Sequence, residues 1–206
     1  MSSAPAEASR RPDGSRAPGP GRPRDPLVDR AILDAAVELL RDGGIEALTV
    51  ESVATRAGVS RASVYRRYAN RVDLMEAAFH AAAEQKPEPP DTGDVRDDLV
   101  QLLTRLSTLL MESDTGAVLP AMLAAARENA EVREALERFT SERRSPTITV
   151  LRRGVDRGEI RADVDPELMA DALVGAVIYG LLMRNAGLGP RRVVDLVDLV
   201  LAGAAA

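Results

Sequence analysis

At 206 residues the chain can bury a sizeable core, as one larger domain or two small ones. Two Phe, three Tyr and no Trp in an Ala-, Leu- and Val-rich background disfavour a β-sandwich or barrel and favour helices. The absence of Cys excludes disulfides, thiolate metal sites and thiol catalysis, the single histidine (His80) excludes a multi-histidine metal site, and a formal charge of −5 means that any surface for a polyanion has to be local.

Residues 1–26 are rich in Pro, Gly, Ser, Ala and Arg and are expected to form a disordered basic arm. It reads either as a solvated tail or as an arm reaching a DNA minor groove, a role that Gly21-Arg22-Pro23-Arg24 would suit. The arm lacks the apolar h-region of a secretory signal, so the chain is expected to stay in the cytoplasm. A first helix over Leu27 to Asp42 carries Ile32, Ala35, Ala36, Leu39 and Leu40 as one apolar stripe and is expected to end at Gly43-Gly44. Thr49 is placed to cap a second helix with Val50, Val53, Ala54 and Ala57 inside, and Ser60 a third running to about Tyr68. Asn70 caps a fourth, with Leu74, Met75, Ala78, Phe79 and Ala82 inward, and Lys86 to Thr92 breaks it. His80 on that helix reads as a structural histidine near the domain junction.

Beyond the break the reading stays helical: Asp94 to Met111, about Gly116 to Arg127, about Ala130 to Gly158, Asp165-Pro166 through Met183, and about Pro190 to Leu201. Pro146 predicts a kink or break near Ser145. The apolar run Leu168 to Met183 has 16 residues and contains Asp171, so it reads as a buried helix too short to span a bilayer, and no membrane partner is expected.

The stretch from Thr49 to Arg71 is the most informative part of the chain. From Ser52 to Val72 it holds five arginines (Arg56, Arg61, Arg66, Arg67, Arg71) and no acid. Ala54 allows two helices to cross closely, Gly58 four positions later can take positive φ, and Val53, Val59 and Val64 are apolar on either side of the turn. These demands in register, with arginines on the face left outside, describe a helix-turn-helix over about residues 50–69.

The pattern Ala35-Ala36, Leu39-Leu40, Gly44, Thr49-Val50, Val53-Ala54, Ala57-Gly58-Val59-Ser60, Val64-Tyr65-Arg66-Arg67-Tyr68, Asn70-Arg71 and Asp73-Leu74 resembles the DNA-binding domain of the TetR family of transcriptional regulators. Family members commonly have Phe at the place of Tyr68 and Lys at that of Arg71; both changes keep an aromatic anchor and a cation. Residues 92–206 also resemble the family's ligand-binding domains, notably at Arg157-Gly158-Glu159-Ile160-Arg161 and Asp163-Val164-Asp165-Pro166. The resemblance implies an all-α protein: a DNA-binding domain over residues 27–86, then a helical ligand-binding and dimerisation domain.

The third helix would enter the major groove with Arg61, Ser63 and Arg67 outward. Ala62 could meet a thymine methyl, and Arg61 a guanine, worth roughly 1–3 kcal/mol of discrimination, or only a phosphate. By the resemblance, Tyr65, Tyr68 and Arg71 anchor the backbone; Arg66 belongs to the same basic face. Thr49 and Ser60 cap their helices and could each donate to phosphate.

One recognition helix reads only a few base pairs, so a homodimer on inverted-repeat double-stranded DNA is expected. Its interface is expected from the last two helices, through small residues Ala172, Gly175, Ala176 and Gly180 and apolar Val193, Val197 and Val200, unless these faces pack within one subunit. A pocket for an apolar small-molecule effector could be lined by Leu103, Leu106, Leu110, Met111, Met122, Leu123, Phe139, Val150, Val177 and Met183, with Tyr179 as polar handle; each also suits plain core packing. No phosphate-binding glycine loop, catalytic constellation or cofactor motif is found, and Asp97 and Asp98 diverge on their helix. The expected function is a homodimeric repressor released by its effector. A ligand-responsive activator, a co-repressor-dependent regulator and an interaction module that no longer needs DNA are the alternatives.

Overall fold

Thr49, Ser60 and Asn70 each accept a hydrogen bond from the backbone N–H three residues ahead, at 3.0, 3.2 and 2.8 Å, and so start three successive helices. The computed structural model describes residues 25–83 and 87–204; all of the expected arm but Asp25 and Pro26 lies outside them. Among the described residues there are nine helices and no strand. They are α1 (Pro26–Ala47), α2 (Val50–Arg56), α3 (Arg61–Tyr65), α4 (Arg71–Ala82), α5 (Val95–Glu112), α6 (Asp114–Glu128), α7 (Ala130–Asp156), α8 (Pro166–Arg184) and α9 (Pro190–Ala202).

Three boundaries differ from the expectation. The α1 helix continues to Ala47, but Gly44 inside it has φ 63° and ψ −161°, so the glycine interrupts the helical path without ending it. Next, α3 stops at Tyr65, and Arg66 to Tyr68 form a closing turn on the Ala62 and Val64 carbonyls. Finally, Pro146 does not break α7. Proline removes the N–H that would satisfy the carbonyl four residues back, that of Glu142; the Ser145 hydroxyl donates to it instead at 3.1 Å.

One contiguous apolar cluster runs through both halves of the chain. Ile32, Leu40, Val53, Val64, Leu74 and Phe79 form its part among α1 to α4; Leu99, Leu103, Val150, Leu173 and Val177 form its part among α5, α7 and α8. The α6 helix joins the two, packing on α1, α4, α5 and α7. At this junction Thr115 donates its hydroxyl to the Ala82 carbonyl at the end of α4 (2.8 Å), and Arg41 pairs with Asp114 at 3.1 Å. Phe79 and Phe139 pack with centroids 4.2 Å apart and planes tilted by 45°, and the exposed His80 lies edge-on to Phe139 at 5.2 Å.

The connection into α5 is held by charge. Arg153 donates to the Pro90 carbonyl at 3.0 Å, and Asp98, fully buried, accepts from the Thr92 N–H and hydroxyl at 3.0 and 2.9 Å. Its neighbour Asp97 is exposed, so the two carboxylates do diverge.

Candidate nucleic-acid interface

The corner between α2 and α3 is set by Gly58 at φ +66°, a conformation that L side chains rarely adopt. It lets the Val59 N–H return to the Ala54 carbonyl at 2.9 Å. Val53 and Val64 are fully buried on either side of the corner, and Ala54 is buried at the crossing. With Val64 inside, helical geometry turns Arg61, Ala62, Tyr65 and Arg66 to the solvent, and all four are exposed. Thr49 and Ser60 are exposed at the helix starts; Ser63 and Tyr68 are half-buried.

Ser63 organises this face. Its hydroxyl accepts from Arg66 Nη2 at 2.9 Å and lies 3.0 Å from the Ser60 hydroxyl, while its carbonyl accepts from Arg67 Nη1 at 3.1 Å. Arg67 is therefore not outward as expected. Its side chain is 11% exposed and its Nε donates to Asp29 of α1, so the guanidinium ties α3 to α1. Sequence spacing put Arg67 one turn beyond Ser63, but α3 has already ended there and the closing turn swings the side chain inward.

The acid-free run of sequence is not an acid-free surface. Arg61 pairs with Glu51, Arg71 with Glu46 at 3.5 Å, and Arg56 with Glu38 and Asp42 at 3.1 and 3.4 Å. The hydrogen bond from Arg56 to Glu38 holds its guanidinium pKa above the ordinary value. Among the described residues no carboxylate lies within ion-pair distance of Arg66, so its charge is left to the solvent side. Glu46 and Glu51 fall just before the run in sequence, and the fold brings their side chains to Arg71 and Arg61.

The expected effector lining separates into two groups. Leu103, Leu110, Met122, Phe139, Val150 and Val177 are buried, with Leu106 and Leu123 partly so, and they pack as core. Met111, Tyr179 and Met183 are turned outward and leave that group, because they sit on the faces of α5 and α8 opposite the core. Clefts are open at the surface among the described residues. One of about 590 Å³ lies between α1, the end of α4 and the α5–α6 corner, with Arg30, Glu38, Arg41 and Met111 on its walls. Another of about 460 Å³ lies between α8 and α9, walled by Ala176, Tyr179, Arg192, Leu196 and Leu199.

The expected interface also needs correction. Val193 and Val197 are fully buried within the chain, against α5 and α8, and Gly180 is buried against its own Ala186 carbonyl. The apolar and small residues that stay outside on α8 are Leu168, Ala172, Gly175, Tyr179 and Met183, spaced as one helical face, with Ala176 half-buried among them and the exposed Asp171 beside them. On α9 it is Leu199, at 73% exposure, beside the half-buried Leu196 and Val200. Leu168 and Leu199 were missing from the expected interface, and Tyr179 and Met183 were expected to line the effector pocket instead, although Leu168, Tyr179 and Met183 are eleven and four residues apart along one helix. The whole of α8 is also longer than its apolar run, and is long and apolar enough to cross a membrane, which corrects the length argument.

A family model described as "Bacterial regulatory proteins, tetR family" matches residues 32–78, and one described as "Tetracyclin repressor-like, C-terminal domain" matches residues 89–200. The uncharacterized HTH-type transcriptional regulator YdeS of Bacillus subtilis is 33% identical over 178 residues, covering 86% of this chain and 89% of that protein. The DNA-binding transcriptional repressor TetR of Mycobacteroides abscessus is 30% identical over 177 residues, covering 83% and 92%. A crystal structure of a TetR family transcription regulator aligns with a TM-score of 0.67 at 32% identity, covering 87% of this chain and 99% of that one.

Proposed function

Since this chain belongs to the TetR family of transcriptional regulators, we propose that it acts as a homodimeric repressor on an inverted-repeat operator and is released by a small apolar effector. The observation that carries the operator reading is α3, which presents Arg61, Ala62, Tyr65 and Arg66 to solvent behind the Gly58 corner while Val64 holds it to the core. In this reading Arg61 meets a base edge, Ala62 a thymine methyl, and Thr49, Ser60, Ser63, Tyr65, Arg66, Tyr68 and Arg71 meet or position the backbone. Arg67 positions α3 from within.

The outer face of α8 and α9 supports the dimer. It is mostly apolar and is concave at the α8–α9 cleft, where Arg184, Arg192 and Asp195 stand among the apolar side chains. Under a two-fold axis the same patch faces itself, so the Tyr179 and Leu199 side chains of one copy can fill the cleft of the other. That assignment also accounts for an apolar α8 without a membrane, and a protein that binds DNA in this way would work in the cytoplasm.

The effector site belongs to the C-terminal domain. Its apolar core at Leu103, Leu106, Phe139, Val150 and Val177 is packed, so a ligand would enter by parting α5 and α7 from α8. The displacement would reach α1 and α4 through Thr115, Asp114 and Phe139. A tenfold loss of operator affinity requires only about 1.4 kcal/mol of differential binding between the two states.

In vitro selection of bound duplexes tests this reading directly. The expected product is an inverted repeat bound by two chains, with Tyr179→Asp and Leu199→Asp converting the protein to a monomer on size-exclusion chromatography with light scattering. Selection that returns no enriched sequence would remove the operator reading.

A further inference from the structure

Glu51 is a carboxylate on the face that carries the exposed Arg61 and Arg66. It stands in the first turn of α2, 67% exposed, and accepts a hydrogen bond from Nη2 of Arg61, the first residue of α3. Both side chains project from the side of the corner that is opposite the buried Val53 and Val64. An acid on a surface that approaches phosphates weakens binding to every duplex. An exposed ion pair by itself stabilises the fold little. The helix dipole favours an acid in the first turn of α2, but it does not require that acid to meet Arg61.

We infer that Glu51 is a positioning residue for operator specificity, fixing the guanidinium of Arg61 so that its free edge meets a guanine. The inference rests on the operator reading above. Among the described residues Arg61 engages no acceptor but Glu51, through Nη2 alone. The remaining donors of the planar fork stay available for O6 and N7 of a guanine, which requires two parallel N–H groups in one orientation. An unsupported arginine on a surface samples many rotamers and meets phosphates as readily as bases. The carboxylate acts in two ways that both favour specificity: it holds the fork for the base and it disfavours the phosphate alternative.

The test uses the full chain and compares the selected operator, single-base variants of it and random duplex by fluorescence anisotropy. In the wild type, changing the base pair read by Arg61 is expected to lower affinity on the order of tenfold. Glu51→Ala should bind random duplex more tightly, by several-fold, while most of that discrimination disappears. Glu51→Gln keeps an oxygen acceptor for the guanidinium and should restore most of it. In an Arg61→Ala background, Glu51→Ala should leave the base preference as it is.

A role confined to starting α2 would instead change affinity equally on all duplexes and lower the melting temperature in either background, and that result overturns the inference. Discrimination unchanged in Glu51→Ala overturns it as well, as does a base preference that depends on Glu51 when Arg61 is absent, which would make Glu51 itself the reader. A wild type without preference for any operator would remove the operator reading first, and this inference with it.

Discussion

Arg67 and Asp29 join the end of the recognition helix to the first turn of α1, 38 residues earlier in the chain. The same guanidinium reaches the Ser63 carbonyl at 3.1 Å, so one side chain closes the end of α3 and ties it to α1. This relationship places Arg67 in the architecture of the interface.

Arg67→Ala should therefore destabilise the protein by about 1–2 kcal/mol, since the hydrogen bonds of a largely buried guanidinium to Asp29 and the Ser63 carbonyl are lost. Urea unfolding checks this. Arg67→Lys, which keeps the charge but not the two-armed geometry, should fall between wild type and Ala.

Arg71 and Glu46 are paired only loosely, at 3.5 Å with Glu46 87% exposed. Arg71→Ala is expected to weaken binding about equally on all duplexes and to reduce the slope of log affinity against log salt by about one unit. Glu46→Gln should do the reverse to affinity, because it frees the guanidinium for phosphate. An anisotropy titration over a salt series reads both, and an unchanged slope in Arg71→Ala would remove the phosphate assignment.

Gly116 sits where α6 turns away from α5, and a Cβ there would lie 1.7 Å from the Leu110 carbonyl oxygen. Backbone cannot yield cheaply, so Gly116→Ala should cost about 1–3 kcal/mol or more and displace the start of α6. Asp114 and Thr115 would then lose Arg41 and Ala82. A shifted urea midpoint together with altered operator affinity is expected. On the outer face of α8, by contrast, a Cβ at Gly175 meets nothing within 4 Å in the chain, so Gly175→Ala should stabilise the subunit by about 0.5–1 kcal/mol through helix propensity while it disturbs dimer association.

Asp198 of α9 is bonded to Arg96 of α5, and that hydrogen bond holds its carboxyl below the ordinary value of 3.8. The unfolded chain then binds the proton more readily than the folded one. The bridge accordingly contributes fully at neutral pH, and its contribution is lost as the pH falls below the ordinary carboxylate range. The difference in urea midpoint between wild type and Asp198→Asn should be positive at neutral pH and shrink toward zero below about pH 4.

The legible parts of the molecule are those fixed by neighbours a few residues apart. Thr49, Ser60, Asn70 and Asp165 cap the helices they were expected to start, because a cap needs only a short polar side chain and the next two or three N–H groups. The Gly58 corner was readable for the same reason. The faces of α9 were not: Val193, Val197, Val200 and Leu199 are all apolar, and only packing on α5 and α8 decides that Val193 and Val197 go inside and Leu199 stays out. Tyr179 and Met111 illustrate the same ambiguity, since helical spacing says that a face is apolar and not which surface covers it.

The amino-acid order alone determined where the helices begin, the sharp corner before α3 and the burial of Val53 and Val64. Those features depend on backbone dihedrals, capping hydrogen bonds and side-chain periodicity, all of them local. Folding in three dimensions decided which charges meet: Arg67 with Asp29, Arg61 with Glu51, Arg96 with Asp198 across 102 residues. Electrostatic partners are selected by distance through space, and no interval along the chain encodes that distance until the helices have packed.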